Sequence, residues 1–95
     1  MTEAIATPLT TEPVTIFATD WCPFCKKLKN NLDRSETPYE IVDVEAEGSD
    51  GAAAWVESVN NGNRVVPTVL YSDGTHATNP PASAVRKKYA ELSGN

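Results

Sequence analysis

The sequence predicts an α/β fold in which three helices flank a four-stranded mixed sheet. Three observations support this prediction: short apolar runs alternate with segments of helical period, an Asp-Gly pair separates the last two runs, and the only two cysteines stand between the first run and the first helical segment. The predicted order is β-α-β-α-β-β-α. Two strands joined through a helix are expected to run parallel, and strands joined by a tight turn are expected to pair antiparallel.

The first half of the chain predicts two strands with a helix between them. Residues 13–18 form a short apolar run, which is typical of a strand buried on both faces. A helix follows, because apolar residues recur at helical spacing and a proline suits the first turn. These residues are Cys25, Leu28 and Leu32, with Pro23 at the start. The helix should end near Thr37, which precedes a proline, and residues 39–44 predict the second strand.

The second half predicts a helix, a hairpin and a last helix. An apolar stripe after residues 48–51 indicates the helix, and it consists of Ala52, Trp55, Val56 and Val59. Residues 65–71 predict a strand with a proline near its start. Asp73 and Gly74 fit a two-residue hairpin turn before a short strand around residues 75–77. Two prolines introduce the last helix, with Val85, Tyr89 and Leu92 facing inward and Arg86, Lys87 and Lys88 facing largely outward.

Length and charge restrict the kind of protein this is. The 95 residues suffice for one small domain, expected over residues 13–95 after a flexible leader over residues 1–12. The net charge of −5, from 13 acidic and 8 basic residues, argues against a nucleic-acid partner. The start lacks a secretion signal, and no apolar stretch is long enough to cross a membrane. A cytoplasmic protein is therefore expected, with a monomer as the default oligomeric state.

The segment Trp21-Cys22-Pro23-Phe24-Cys25 carries the predicted chemistry. In a reducing compartment a C-x-x-C pair between a strand and a helix indicates a redox-active dithiol. A structural role is one alternative. A metal site is another, but a closed zinc site needs four ligands and His76 is the only other soft candidate, so two chains would have to share the metal.

The two cysteines are expected to differ. Cys22 falls at the start of the helix, where free N–H groups and the positive end of the helix dipole favour a thiolate. A thiolate stabilised in this way gains little as an attacking group but leaves a disulfide readily. Cys25 lies one turn further along on the apolar side, so it should be more buried and have a higher pKa.

These residues, together with Val66-Pro67 at the head of a later strand, resemble a glutaredoxin-type thioredoxin fold. The resemblance covers roughly residues 13–93. It is greatest to the actinobacterial mycoredoxins, because of two further segments. These are residues 58–69 (Ser-Val-Asn-Asn-Gly-Asn-Arg-Val-Val-Pro-Thr-Val) and residues 73–80 (Asp-Gly-Thr-His-Ala-Thr-Asn-Pro).

The resemblance implies an enzyme, a thiol–disulfide oxidoreductase that acts on mycothiol mixed disulfides. It implies that Cys22 is the nucleophile, that Cys25 resolves, and that the two form a redox-active disulfide. Pro67 would be cis, leaving the Val66 backbone free to pair with a bound thiol. Mycothiol would be a co-substrate, with no bound cofactor, and the partners would be S-mycothiolated proteins or small molecules and, indirectly, mycothiol disulfide reductase.

Further residues are predicted to contact the thiol substrate. Glutathione-using glutaredoxins typically carry a glycine-rich, acidic turn where this chain has Thr78-Asn79-Pro80-Pro81, and Thr78 and Asn79 suit the neutral sugar–inositol part of mycothiol. A plain loop and helix cap is the alternative. The other predicted contact residues are Trp21, Pro23, Phe24, Arg64, Val66 and Pro67. For Arg64 the alternative is a solvated loop residue, whereas Trp55 is expected in the core and His76 exposed.

Two other functions compete with this one. The first is a glutaredoxin-like electron donor for ribonucleotide reductase, recharged by thioredoxin reductase, although such proteins usually have a Trp-Ser-Gly-Phe-type segment that this chain lacks. The second is an iron–sulfur cluster scaffold that dimerises through Cys22 and a bound thiol, which Pro23 disfavours.

Overall fold

The computed structural model of the protein describes residues 12–93. The predicted leader lies outside these residues except for Glu12, so the domain boundary at residue 13 stays a prediction. The element order is the predicted one, β-α-β-α-β-β-α. In chain order the elements are β1 (Val14–Ala18), α1 (Pro23–Arg34), β2 (Glu40–Asp43), α2 (Asp50–Ser58), β3 (Thr68–Tyr71), β4 (His76–Thr78) and α3 (Ala82–Leu92).

The four strands form one mixed sheet in the order β2-β1-β3-β4. As predicted, β1 and β2 pair in parallel, with Ile16 opposite Ile41. Strand β3 pairs antiparallel with both β1 and β4. Strand β1 is therefore central, and all five of its residues are buried, which explains why its sequence is apolar without alternation.

Each face of the sheet carries its own core. On one face α1 and α3 pack against β1 and β3, as alternate strand residues point to opposite faces; this core includes Ile16, Leu28, Leu32, Val69 and Val85. On the other face α2 packs through Trp55 and Val56 against Phe17 and Leu70. The expected core position of Trp55 is confirmed. His76 is exposed as predicted, but its ring also packs edge-on against Trp55 with 5.8 Å between ring centroids.

Two boundaries in the second half differ from the prediction. Strand β3 begins at Thr68 and not at residue 65, because Thr68 is the first residue that pairs with both neighbouring strands. The hairpin loop has three residues and not two. The Tyr71 N–H donates to the Thr75 carbonyl (2.8 Å), the Gly74 N–H donates to the Tyr71 carbonyl (3.0 Å), and Gly74 takes a positive φ of 90°, as in turns closed by a glycine.

Helix α3 has the predicted inward face, with Val85 buried and Tyr89 and Leu92 packed beside it. Lys88 departs from the prediction: it is half-buried, pairs with Asp73 at 2.7 Å and lies over the Tyr71 ring. None of the helices within residues 12–93 is long and apolar enough to cross a membrane.

Replacing Leu32 tests the packing of α1 on the sheet. Leu32 is fully buried, so Leu32→Ala should lower the free energy of unfolding by about 2–5 kcal/mol. Urea unfolding followed by circular dichroism measures this change. Ile41→Ala is the matched control, because Ile41 is 39% exposed and its loss should cost less than about 1 kcal/mol. Equal losses for the two variants would contradict the assigned packing.

Candidate active site

The site is built where β1 ends and α1 begins. The chain turns after Ala18, and the Cys22 N–H donates to the Thr19 carbonyl at 3.5 Å. Cys22 is the N-cap residue of α1, with extended backbone angles, and Pro23 takes the first helical position. The Cys22 carbonyl accepts from the Lys26 N–H at 3.1 Å. Cys22 is thus fixed at the helix start, as the sequence predicts.

The Cys22 sulfur is held between α1 and the loop before β3. The Cys25 N–H donates to Cys22 Sγ at 3.1 Å, which satisfies one of the amides that a helix start leaves without a partner. The same sulfur lies 3.7 Å from the Val66 carbonyl oxygen. Cys22 is only 2% exposed, so a reacting sulfur must approach it along a narrow direction.

Cys25 lies one turn further and faces the core. It is fully buried, and this burial is the largest cause that raises the pKa of the Cys25 thiol from 9.0 to about 12. The hydrogen bond with Cys22 and the charge of Cys22 raise this pKa further, while a backbone hydrogen bond from Thr19 and the charge of Lys29 lower it. Cys25 therefore keeps its proton at neutral pH, as predicted.

Both cysteines are free thiols in the structure. The site is thus a dithiol in which one sulfur accepts a hydrogen bond from a helix amide and the other is enclosed by apolar side chains. The predicted Cys22–Cys25 disulfide stays a prediction.

The loop before β3 lies beside the Cys22 sulfur. The Val66–Pro67 peptide bond is cis, and Pro67 is buried. The Pro67 carbonyl accepts from the Asn79 N–H at 2.7 Å, which joins this loop to the segment before α3. Among residues 12–93, no group accepts a hydrogen bond from the Val66 N–H. This amide therefore has no hydrogen-bond partner in the described part of the chain.

Two aromatic side chains flank the buried sulfur. Trp21 is 64% exposed and Phe24 is 62% exposed. The Trp21 indole Nε1–H donates to Glu45 Oε1 at 2.8 Å, so a carboxylate of the loop after β2 orients this ring. Nothing in the sequence points to Glu45, because it lies 24 positions from Trp21.

Asn79 lines a cavity of about 270 Å³ between α1 and the start of α3. Phe24 lies at one end, so this cavity adjoins the site. Lys27 and Asn31 also line it, and neither was predicted to belong to the site. Their spacing of four residues places them on one face of α1, which is the signal that would have identified them.

Two predicted contact residues are used elsewhere. Arg64 pairs with Glu57, with 3.0 Å between the guanidinium and the carboxylate. The Thr78 hydroxyl donates to the Asn60 side-chain carbonyl at 2.7 Å, on the face of the sheet that α2 covers. Neither residue lines the cavity beside Phe24.

A metal site finds no support in the described part of the chain. Within residues 12–93, no three side chains among the histidines, cysteines, aspartates and glutamates are grouped so as to hold a metal ion. The one imidazole packs against Trp55, on the opposite face of the sheet from Cys25.

Comparison with known proteins by sequence finds glutaredoxins and mycoredoxins. A sequence model of the glutaredoxin family matches residues 14–77. Mycoredoxin 1 of Corynebacterium glutamicum is 56% identical over 79 residues, which cover 83% of this chain and 95% of that protein. A glutaredoxin candidate of Mycobacterium tuberculosis is 43% identical over 84 residues, covering 88% and 98% of the two chains.

A solved structure supports the fold. The glutaredoxin of Methanosarcina mazei superposes with a TM-score of 0.67 and 20% identity, over 88% of this chain and 84% of that one. At this identity the likeness concerns the fold alone.

The raised pKa of Cys25 can be measured by alkylation of a Cys22→Ser variant. Burial, its largest cause, persists in the variant, so the rate with iodoacetamide should rise about tenfold per pH unit from pH 7 to 10. An ordinary thiol, such as a cysteine in a short peptide used as the control, stops gaining rate near pH 9. A plateau near pH 9 in the variant, as in the control peptide, would contradict the enclosed position of this thiol.

Proposed function

The chain belongs to the glutaredoxin family and, within it, to the mycoredoxins, so it is a thiol–disulfide oxidoreductase, and we propose that it removes mycothiol from mixed disulfides with proteins and small molecules. The observation that carries the proposal is the setting of the Cys22 sulfur. It caps α1 at 3.1 Å from the Cys25 N–H and lies beside Val66, whose own N–H is free to hold a thiol.

In the first step the Cys22 thiolate attacks the mycothiol sulfur of a mixed disulfide. The bond between the mycothiol and protein sulfurs breaks, and a Cys22–mycothiol disulfide forms. The protein leaves as a thiolate and takes a proton from water. For this attack the mixed disulfide must reach Cys22 Sγ in line with the bond that breaks. The exposed rings of Trp21 and Phe24 border the path to this sulfur.

Two routes complete the cycle. In the first, the thiolate of a second mycothiol attacks the bound mycothiol, mycothiol disulfide departs, and Cys22 leaves as a thiolate. In the second, Cys25 loses its proton and attacks Cys22, which releases mycothiol and forms the Cys22–Cys25 disulfide. Burial, the largest cause that raises the pKa of the Cys25 thiol, persists when Cys22 is joined to mycothiol and keeps the Cys25 thiolate scarce at neutral pH, so the first route should dominate.

Val66, Pro67 and Asn79 are the proposed binding residues for the thiol. The Val66 amide would pair with the cysteinyl part of mycothiol, with Pro67 packed beside it. Asn79 offers amide hydrogen bonds to hydroxyl groups, and the prolines after it provide no N–H donors for the charged end of glutathione. Arg64 and Thr78 would have to release Glu57 and Asn60 before they bind the same ligand.

The co-substrate, the recycling enzyme, the compartment and the oligomeric state are also part of the proposal. Mycothiol is a co-substrate and no cofactor is bound. Mycothiol disulfide reductase would recycle the product in the cytoplasm, and the enzyme would act as a monomer.

The two serine variants test the assignment of roles. Cys22→Ser should abolish release of mycothiol from a mixed disulfide, while Cys25→Ser should keep at least about half of the activity, because only the second route needs Cys25. Release is measured by mass spectrometry of the substrate, with mycothiol and glutathione mixed disulfides compared in parallel. An inactive Cys25→Ser protein would rule out the one-cysteine route, and equal turnover of both thiols would rule out the preference for mycothiol.

Asn79 provides a test of thiol recognition. Its φ is +48°, a conformation that glycine also adopts, so Asn79→Gly removes the side chain while the backbone bond to Pro67 persists. Loss of one hydrogen bond should raise KM for mycothiol mixed disulfides by roughly two- to tenfold. KM for glutathione mixed disulfides should change less. Asn79→Asp, which keeps the shape of the side chain, is the matched control. Equal changes in KM for mycothiol and glutathione mixed disulfides in Asn79→Gly would contradict the assignment.

A further inference from the structure

A continuous groove runs from the active site along α1. The cavity beside Phe24 adjoins a second one of about 420 Å³, and the two share Asn31, Pro81 and Ala82 in their walls. The second cavity reaches Arg34 and Arg86. The groove therefore begins two residues from Cys22 and ends at the last turn of α1.

The charged side chains that line this groove are all cationic. They are Lys27, Arg34 and Arg86, and no carboxylate lines either cavity. All three are exposed, and the ion pairs formed within residues 12–93 involve other side chains. In a protein with a net charge of −5, this separation of charge creates a local surface that attracts anions.

No carboxylate of α1 lines the groove. Asp33 is the one carboxylate of α1, and its oxygen accepts from the Tyr39 hydroxyl at 2.7 Å. The start of α3 adds to the attraction, since Pro81 caps that 11-residue helix without a side-chain hydrogen bond. The N–H groups of Ala82 and Ser83 donate to no acceptor within residues 12–93, and they form the positive end of the helix dipole.

We infer that the far end of this groove, lined by Arg34 and Arg86, binds an acidic segment of the protein substrate whose cysteine exchanges with Cys22, an inference that rests on the proposed function. Mycothiol, with a neutral sugar–inositol unit, offers no negative charge for Arg34 and Arg86 to pair with. The length also suits a polypeptide: the 12 residues of α1 extend about 18 Å, which an extended chain covers in about five residues. The substrate therefore carries carboxylates about five residues from its reacting cysteine.

Three synthetic peptides test this inference. Each contains one cysteine as a mycothiol mixed disulfide, and positions four to six from that cysteine carry glutamate, glutamine or lysine, on either side of the cysteine in separate sets. In at least one set kcat/KM should fall in that order, with glutamate about three- to tenfold above glutamine at low ionic strength. The difference should narrow as salt screens the charges.

Two neighbouring residues of α3 supply matched variants. Arg86→Gln should reduce the preference for the glutamate peptide, and Arg34→Gln combined with Arg86→Gln should abolish it. Lys87→Gln removes the same charge from an exposed residue that does not line the groove, so it should keep the preference.

The outcomes separate the two proposals. Equal kcat/KM for all three peptides in both sets overturns the groove inference and leaves the proposed function intact. A loss of preference in Lys87→Gln as large as in Arg86→Gln overturns it as well, because net charge alone would then explain the effect. If no peptide releases mycothiol, the proposed function fails and the groove inference fails with it.

Discussion

The hydrogen bond from the Cys25 N–H to Cys22 Sγ connects the chemistry of this protein to its fold. A sulfur that caps a helix keeps its position only if the start of that helix is held in place. That start is fixed because β1 is buried along its whole length and because Leu28 and Leu32 hold α1 against the sheet. The central strand and the apolar face of α1 are therefore conditions for the site as well as for stability.

The same turn of helix makes two sulfurs of the same type unequal. The Cys22 sulfur accepts a hydrogen bond from a helix amide and lies beside the Val66 carbonyl. Cys25 is enclosed by the core, and this burial raises the pKa of its thiol. A spacing of three residues is enough to produce this difference, because Cys25 lies one helical turn beyond Cys22, on the side of α1 that faces the core. This difference between the two thiols favours chemistry in which Cys22 exchanges repeatedly. Cys25 then reacts only when Cys22 is part of a disulfide within its reach.

The sequence allowed prediction of features that depend on local pattern. The element order, the helix start at Cys22 and the inward position of Cys25 follow from spacing within a few residues. The hairpin loop was predicted too short, because the pairing of Tyr71 with Thr75 decides its length and Asp73-Gly74 fits both loops. The groove was not predicted, since its walls come from α1 and α3, about 50 residues apart, and only their packing on one face of the sheet brings them together.

The two tryptophans of the chain occupy opposite environments and so provide separate optical signals. Trp55 is 3% exposed in the core between α2 and the sheet, so its emission should shift to longer wavelength when the domain unfolds and water reaches the ring. Trp21 already lies mostly in water and is next to Cys22, so a thiol joined to that sulfur changes its surroundings without unfolding. The fluorescence of the intact protein thus responds to loss of structure through Trp55 and to a change of redox state through Trp21.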